Sequence, residues 1–172
     1  SARTIRGLAG LFPHGDTQGK ALGLACADEI SGSLTRNFSV LELDRTGFSA
    51  QVDCRFPLCA QEKALLSRLS AALSPLGAEV TDPGLVPPHC VPEDDPFVQT
   101  LLGVYHDYTG QSARCLAIGG GTYVHDIPGG VAFGCAMPGV DNRMHEPDEF
   151  AILDDLVLSA KMFAQVILDV CG

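Results

Sequence analysis

The tetrad Asp44-Arg45-Thr46-Gly47 separates two apolar runs, and this constrains the first half of the chain more than any other feature. Phe38, Val40 and, less regularly, Leu41 and Leu43 approach it from one side. On the other side Phe48, Ala50, Val52 and Cys54 alternate with Ser49, Gln51, Asp53 and Arg55. Successive side chains of a strand point to opposite faces, so an apolar period of two marks a strand covered on one face and wet on the other. Two such runs joined by a short Asp- and Gly-containing turn predict a half-buried antiparallel hairpin over Phe38–Phe56. Leu65, Leu66, Leu69, Ala72 and Leu73 then recur at helical spacing over Gln61–Leu73, ending near Pro75 and Gly77. With a further short strand at Ala78–Thr81, the order strand, strand, helix, strand predicts half of a ferredoxin-like α+β layer.

The remaining elements follow from punctuation. Ala2–Phe12 reads as a short helix ended by Pro13 and Gly15, and Gly15–Asn37 as polar loops around a strand at Ala21–Ala25. The proline-rich stretch Asp82–Pro88 is a semi-rigid break that divides the chain into domains 1–85 and 86–172. Asp95 caps and Pro96 opens a helix running to Gly110, with Phe97 or Val98, Leu101, Leu102 and Tyr105 on its inner face. Arg114–Ile118 and Val131–Ala136 read as buried strands. The chain closes on a helix from about Asp154 to Val170, whose face of Leu156, Val157, Ala160, Phe163, Ala164, Ile167 and Leu168 is suited to packing on a sheet. The fold class is α+β or α/β.

Composition narrows the function. Of 172 residues, 46% are apolar, which is enough for a packed core. The net charge of −10 offers no basic patch for nucleic acid or anionic membrane. No uninterrupted apolar run reaches membrane-spanning length, and the start does not read as a signal peptide. The seven cysteines form an odd set with no C-x-x-C pair, which suits reduced, core-type thiols in the cytoplasm better than a disulfide framework. None has a histidine at a spacing that suggests a nucleophile.

The chemistry-bearing residues are few. Gly119, Gly120, Gly121 and Thr122 form a loop whose backbone N–H groups suit an anion such as a terminal carboxylate, or simply a tight turn. It is no nucleotide loop, since no lysine follows and the glycine spacing is wrong for a dinucleotide fold. Arg55 stands on the polar face of its strand, either solvated beside Asp53 or free to reach a ligand. His145 lies in a turn-rich segment before Asp148 and Glu149. Alone it reads as a solvated turn residue, and Glu146, Asp148 and Glu149 beside it read as loop and helix-entry groups. His14, His89, His106 and His125 suggest surface or loop positions.

The segments DDPFVQTLLGVY, IGGGTY, GVAFG and HEPDEFAILDDL, in that order and spacing, resemble the C-terminal end of PepV-type zinc dipeptidases, within the aminoacylase and carboxypeptidase clan. The resemblance extends more loosely back to about Phe38. It implies the back half of a ferredoxin-like lid domain followed by the C-terminal part of a zinc-peptidase catalytic domain. His145 matches the family's C-terminal zinc ligand, Arg55 the arginine that clamps the substrate's carboxylate, and Gly119–Thr122 the loop that cradles it. Two parallel N–H donors make a guanidinium suited to one carboxylate. In such enzymes two zinc ions share a bridging water, lower its pKa and polarise the scissile carbonyl. The other zinc ligands, the general-base glutamate and the oxyanion-stabilising histidine have no match in this chain.

The resemblance therefore implies a fragment whose partners are a dipeptide substrate and the missing N-terminal half of the same protein. Its substrates would be dipeptides or short peptides with a free N-terminus. Alone it should be inactive, should hold no stoichiometric zinc and should self-associate through exposed edges. A start at Ser1 without an initiator Met fits that expectation. Two alternatives stay open: a stand-alone, non-catalytic α+β module binding a partner or a small acid through Arg55 and the glycine loop, and a related acylase or carboxypeptidase of the same clan.

Overall fold

A computed structural model describes residues 2–81, 84–134 and 137–172. They cluster into two compact units, Ser1–Cys90 with Ala117–Gly120, and Val91–Leu116 with Gly121–Gly172. Asp82 and Pro83 of the predicted break, and Cys135 and Ala136 of a predicted strand, lie outside the described residues.

In the first unit, helix α1 (Ala2–Leu11) is followed by a short antiparallel pair, β1 (Ala27–Asp28) with β2 (Gly32–Ser33). The long hairpin follows: β3 (Thr35–Leu43) pairs antiparallel with β4 (Phe48–Arg55), with a bulge between Phe38 and Val40. Its turn is built by Asp44, whose carboxylate accepts from the Thr46 N–H (2.7 Å), the Thr46 hydroxyl (2.6 Å) and the Gly47 N–H (2.9 Å). These bonds favour the ionised form, holding Asp44 below the usual carboxylate range. Helix α2 (Glu62–Leu73) completes the unit and buries Leu65 and Leu73.

Its core is Leu22, Leu24, Leu34 and Leu65, with Leu11, Phe12, Cys26, Phe56, Ala60, Leu69 and Ala72 packed around it. Arg36 reaches this region from β3 and is 7% exposed. Its guanidinium donates to the Asp16 carbonyl, lies 3.6 Å from the Asp16 carboxylate and stands 4.9 Å from the Phe12 ring centre. A buried charge needs such partners, and nothing in the strand's alternation singled it out.

The predicted strand at Ala78–Thr81 does not form. The Ala78 N–H closes the preceding helical turns by donating to the Leu73 carbonyl (3.5 Å), and no ladder takes up the segment. Ala21–Ala25 is likewise a 3-10 turn at Lys20–Leu22 followed by irregular chain. Among the described residues both sheets have two strands, so the fold is mixed α+β with small open sheets.

The second unit is built on two helices. Asp95 caps α3 (Pro96–Thr109) by accepting from the Phe97 N–H (2.8 Å) and Val98 N–H (3.4 Å), and left-handed Gly110 (φ 67°) ends it. Its buried residues are Val98, Leu101 and Val104; the predicted inner positions Leu102 and Tyr105 are half-buried and Phe97 is exposed. Helix α4 (Leu153–Cys171) packs on α3 through Met162 and Val166, which meet Leu101 and Val104. This corrects the expected packing face. Leu156, Val157, Phe163, Ile167 and Leu168 are all exposed, at 41–65%. Helix α4 is apolar on two sides, and a single helical neighbour covers only the narrower one. Arg114–Ile118 is irregular, with Leu116 and Ile118 exposed, because no strand among the described residues pairs with it. Residues 131–134 are irregular too, although Val131 and Phe133 pack on the helical core.

Candidate functional site

Arg55 is the last residue of β4 and pairs across the hairpin with Thr35. Asp53, its expected ionic neighbour, instead accepts from the Ser39 hydroxyl, and the described ion pairs are Arg36–Asp16 and Arg143–Asp148. The Arg55 guanidinium reaches the segment Ala117–Gly120 of its own unit and donates through Nη1 to the Gly119 carbonyl. The sequence separation is 64 residues. Arg55 is exposed, and Nη1 is one of several donors its guanidinium carries. Beside it, burial pushes the Cys54 thiol up, against the pull of the Arg36 charge, which keeps that cysteine a protonated packing group.

Two glycines of this segment lie against Arg55. Gly119, Gly120 and Gly121 are absent from the positive-φ residues, so no left-handed turn requires them. A Cβ on Gly119 would stand 3.4 Å from Arg55 Cδ, and one on Gly120 would stand 3.0 Å from Arg55 Nη1. A Cβ on Gly121 would meet nothing within 4 Å. A side chain would therefore make ordinary contact with the arginine at position 119 and crowd the tip of its guanidinium at position 120. The backbone donors are also partly engaged: the Gly120 N–H bonds to the Ile118 carbonyl (3.2 Å), and the Thr122 N–H to His125 Nδ1 (3.2 Å). Among the four residues, only Gly119 and Gly121 keep N–H groups for an anion.

Thr122 belongs to the second unit, where it starts the 3-10 turn Tyr123–Asp126, and the His125 N–H donates back to its carbonyl (3.1 Å). His125, expected at a surface or loop position, is half-buried in this turn.

His145, also in the second unit, sits in an exposed loop closed by the Phe150 N–H on the Asn142 carbonyl (3.2 Å). Its φ of 67° is left-handed, as are those of Arg143 (55°) and Asp148 (62°). Three non-glycine residues in this region within one loop is uncommon, and such strain concentrates at binding sites. Arg143 and Asp148 face each other at 3.9 Å with both side chains exposed. Among the described residues no three His, Cys, Asp or Glu side chains converge to hold a metal ion. Zinc takes about four ligands, so the described residues do not fit a zinc site of their own. Among them, too, no helix is long and apolar enough to cross a membrane.

Open depressions lie around Pro13–Ala21 (about 500 Å³) and at the hairpin tip Glu42–Ser49 (about 450 Å³). Neither includes Arg55 or the glycine segment, and both are wide dips over loop residues.

Compared with known proteins, the chain is 38% identical over 156 residues to "Putative dipeptidase YtjP" of Bacillus subtilis (strain 168), covering 90% of this chain and 33% of that protein. It is 35% identical over 157 residues to "Beta-Ala-Xaa dipeptidase" of Lactobacillus delbrueckii subsp. lactis, covering 91% and 33%. A Staphylococcus haemolyticus (strain JCSC1435) protein, also named as a dipeptidase, is 25% identical over 172 residues, covering 99% and 37%. The chain is homologous to these bacterial proteins. It spans about a third of their length. No known protein-family model matches it.

Proposed function

We propose that this chain is the C-terminal part of a cytoplasmic dinuclear zinc dipeptidase. In this reading 1–85 is the back half of the lid domain and 86–172 the closing part of the catalytic domain. The observation that carries it is the similarity along nine-tenths of the chain to proteins named as dipeptidases. That one of them is named for β-Ala-Xaa favours a dipeptide over an N-acyl amino acid as the substrate.

Arg55 would hold the substrate's terminal carboxylate. Its bond to the Gly119 carbonyl fixes one edge of the guanidinium and leaves a second edge for a planar anion. The free N–H group of Gly119 would add to the carboxylate's partners, and bare Gly120 leaves room for the arginine to lie there. His145 would serve as one metal ligand. The described residues supply no set of ligands with it, so we derive no catalytic step through zinc, and the chain alone should not hydrolyse peptides.

The test uses the longer protein, with Arg55→Ala and Arg55→Lys assayed on a dipeptide and on its C-terminal amide. Losing a charge-assisted, paired hydrogen bond costs about 1.5–3 kcal/mol, roughly ten- to a hundredfold in kcat/KM on the free acid. Lysine should rescue little, because it keeps the charge but loses the paired donors. The amide should be a poor substrate whose turnover neither variant changes much. Equal losses on acid and amide would make Arg55 a structural pin on Gly119 and end the clamp assignment.

A further inference from the structure

The first unit places two free cysteines together at a point the peptidase reading does not use. Leu24, Cys26 and Asp28 alternate along an extended segment and share its inward face; Leu24 is 4% exposed and Cys26 packs on the same core. The Leu34 N–H donates to the Cys26 carbonyl (2.9 Å), extending the β1–β2 ladder to Cys26. At the end of that face the Asp28 carboxylate accepts from the Cys59 N–H (3.0 Å). It also accepts from the Ser31 hydroxyl (2.8 Å), and Ser31 Oγ in turn accepts from the Leu58 N–H (2.8 Å). The turn after β4 is thus bolted to the β1–β2 pair by two backbone donors. Phe56 and Ala60, on either side of Cys59, pack on the same core as Cys26. Both thiols are free, Cys59 exposed and Cys26 half-buried.

We propose that Cys26 and Cys59 are a redox-modifiable pair, converted to an intramolecular disulfide by low-molecular-weight disulfides and returned to dithiol by low-molecular-weight thiols. The thiolate of exposed Cys59 attacks one sulfur of oxidised glutathione. A mixed disulfide forms, and one glutathione leaves as thiolate and takes up a proton. The Cys26 thiolate then attacks the Cys59 sulfur of that mixed disulfide and expels the second glutathione. Two protein thiols are oxidised and one glutathione disulfide is reduced to two thiols, so electrons and protons balance. Desolvation first, then Cys26 and Asp28 beside it, push the Cys59 thiol up. Exchange is therefore slow near neutrality, and the pair responds to sustained oxidation rather than to brief exposure. The bridge would tie β1 to the connection between β4, which ends at Arg55, and α2.

The experiment treats the full 172-residue chain with oxidised glutathione at mildly alkaline pH, blocks remaining thiols by alkylation and digests with trypsin. Cys26 and Cys59 fall in separate peptides, Ala21–Arg36 and Phe56–Lys63, each with one cysteine, and Cys54 falls in a third. The expected result is a linked pair of these two peptides, a loss of about 2 Da in the intact monomer, and reversal by excess glutathione. Cys59→Ser and Cys26→Ser should each abolish the link and leave the surviving cysteine only glutathionylated. A bridge from Cys59 to Cys54 or Cys90 at comparable yield would overturn the proposal. So would glutathione on Cys59 with Cys26 still alkylatable in the unaltered chain.

Discussion

Met162→Ala should destabilise the second unit several times more than Ile167→Ala, although both shorten an apolar side chain on α4. Met162 is 0% exposed and lies among Leu101, Val104 and Val166. Its truncation removes the transfer energy of the lost atoms and leaves a cavity, together about 2–5 kcal/mol. Ile167 is 61% exposed, so only about two-fifths of its surface is withdrawn from water. Full burial of such a side chain is worth about 1.5–3 kcal/mol, which puts its present contribution near 0.6–1.2 kcal/mol. The better helix propensity of alanine returns a few tenths. Against a domain stability of about 5–15 kcal/mol, the first change is severe and the second mild. Urea titration followed by tyrosine fluorescence isolates the effect. The chain has no Trp, and all three of its tyrosines, Tyr105, Tyr108 and Tyr123, belong to the second unit. Equal midpoint shifts for the two variants would refute the packing argument.

Three further outcomes are expected. In the longer protein Gly120→Ala should lower turnover of a free-acid dipeptide about tenfold by displacing Arg55, as misplaced binding groups do, while Gly121→Ala should behave like the unaltered enzyme in the same assay. The isolated chain, desalted after incubation with zinc, should retain well under one equivalent by elemental analysis; one equivalent or more, lost on His145→Ala, would contradict the single-ligand reading. The acid limb of stability should be carried in part by Asp28, whose pKa is lowered from 3.8 to about 2 by Ser31, Cys59 and Ile30 donors, chiefly the Ser31 N–H. A depressed carboxylate stabilises the fold above its unfolded value, and this is lost as pH falls from about 4 through about 2. Urea midpoints measured across that window should fall less steeply for Asp28→Asn, with Asp16 and Asp44 supplying the slope that remains.

Local signals were legible where the residues that make an element also lie next to one another. The Asp44–Gly47 turn closes through its own side chain, and Asp95 with Pro96 starts α3 through bonds to the next two amides. Such features need no distant partner, so periodicity and caps find them. Strands do need one. Ala78–Thr81 and Arg114–Ile118 carry strand-like composition, yet a strand exists only when a neighbour accepts its ladder, and the described chain offers none. The face of α4 was misassigned for a related reason. A helix apolar on two sides does not say which side meets which neighbour, and here the seam of Met162 and Val166 meets α3. Arg36 was missed altogether, because its burial depends on Phe12 and Asp16, which a strand's alternation cannot show.

The candidate site divides along the same line. A glycine run says that side chains are absent, not why. Left-handed backbone, a close ligand and a close side chain all leave the same letters in the sequence. The geometry separates them: the three glycines have ordinary φ, two of them lie against Arg55, and one of their amides is engaged at Ile118. A carbonyl that accepts from a guanidinium repels an anion rather than holding it. Recognition of a carboxylate at this place would therefore rest on Arg55 more than on the loop's amides. In that proposal the chemistry would depend on one long-range contact, between residues 64 positions apart. His145 shows the opposite case. Its acidic neighbours in sequence do not converge with it, since in a turn adjacent residues fan outward, and metal ligands must come from segments that folding brings together. In the proposed reading His145 would be the one local member of a ligand set drawn from more than one segment.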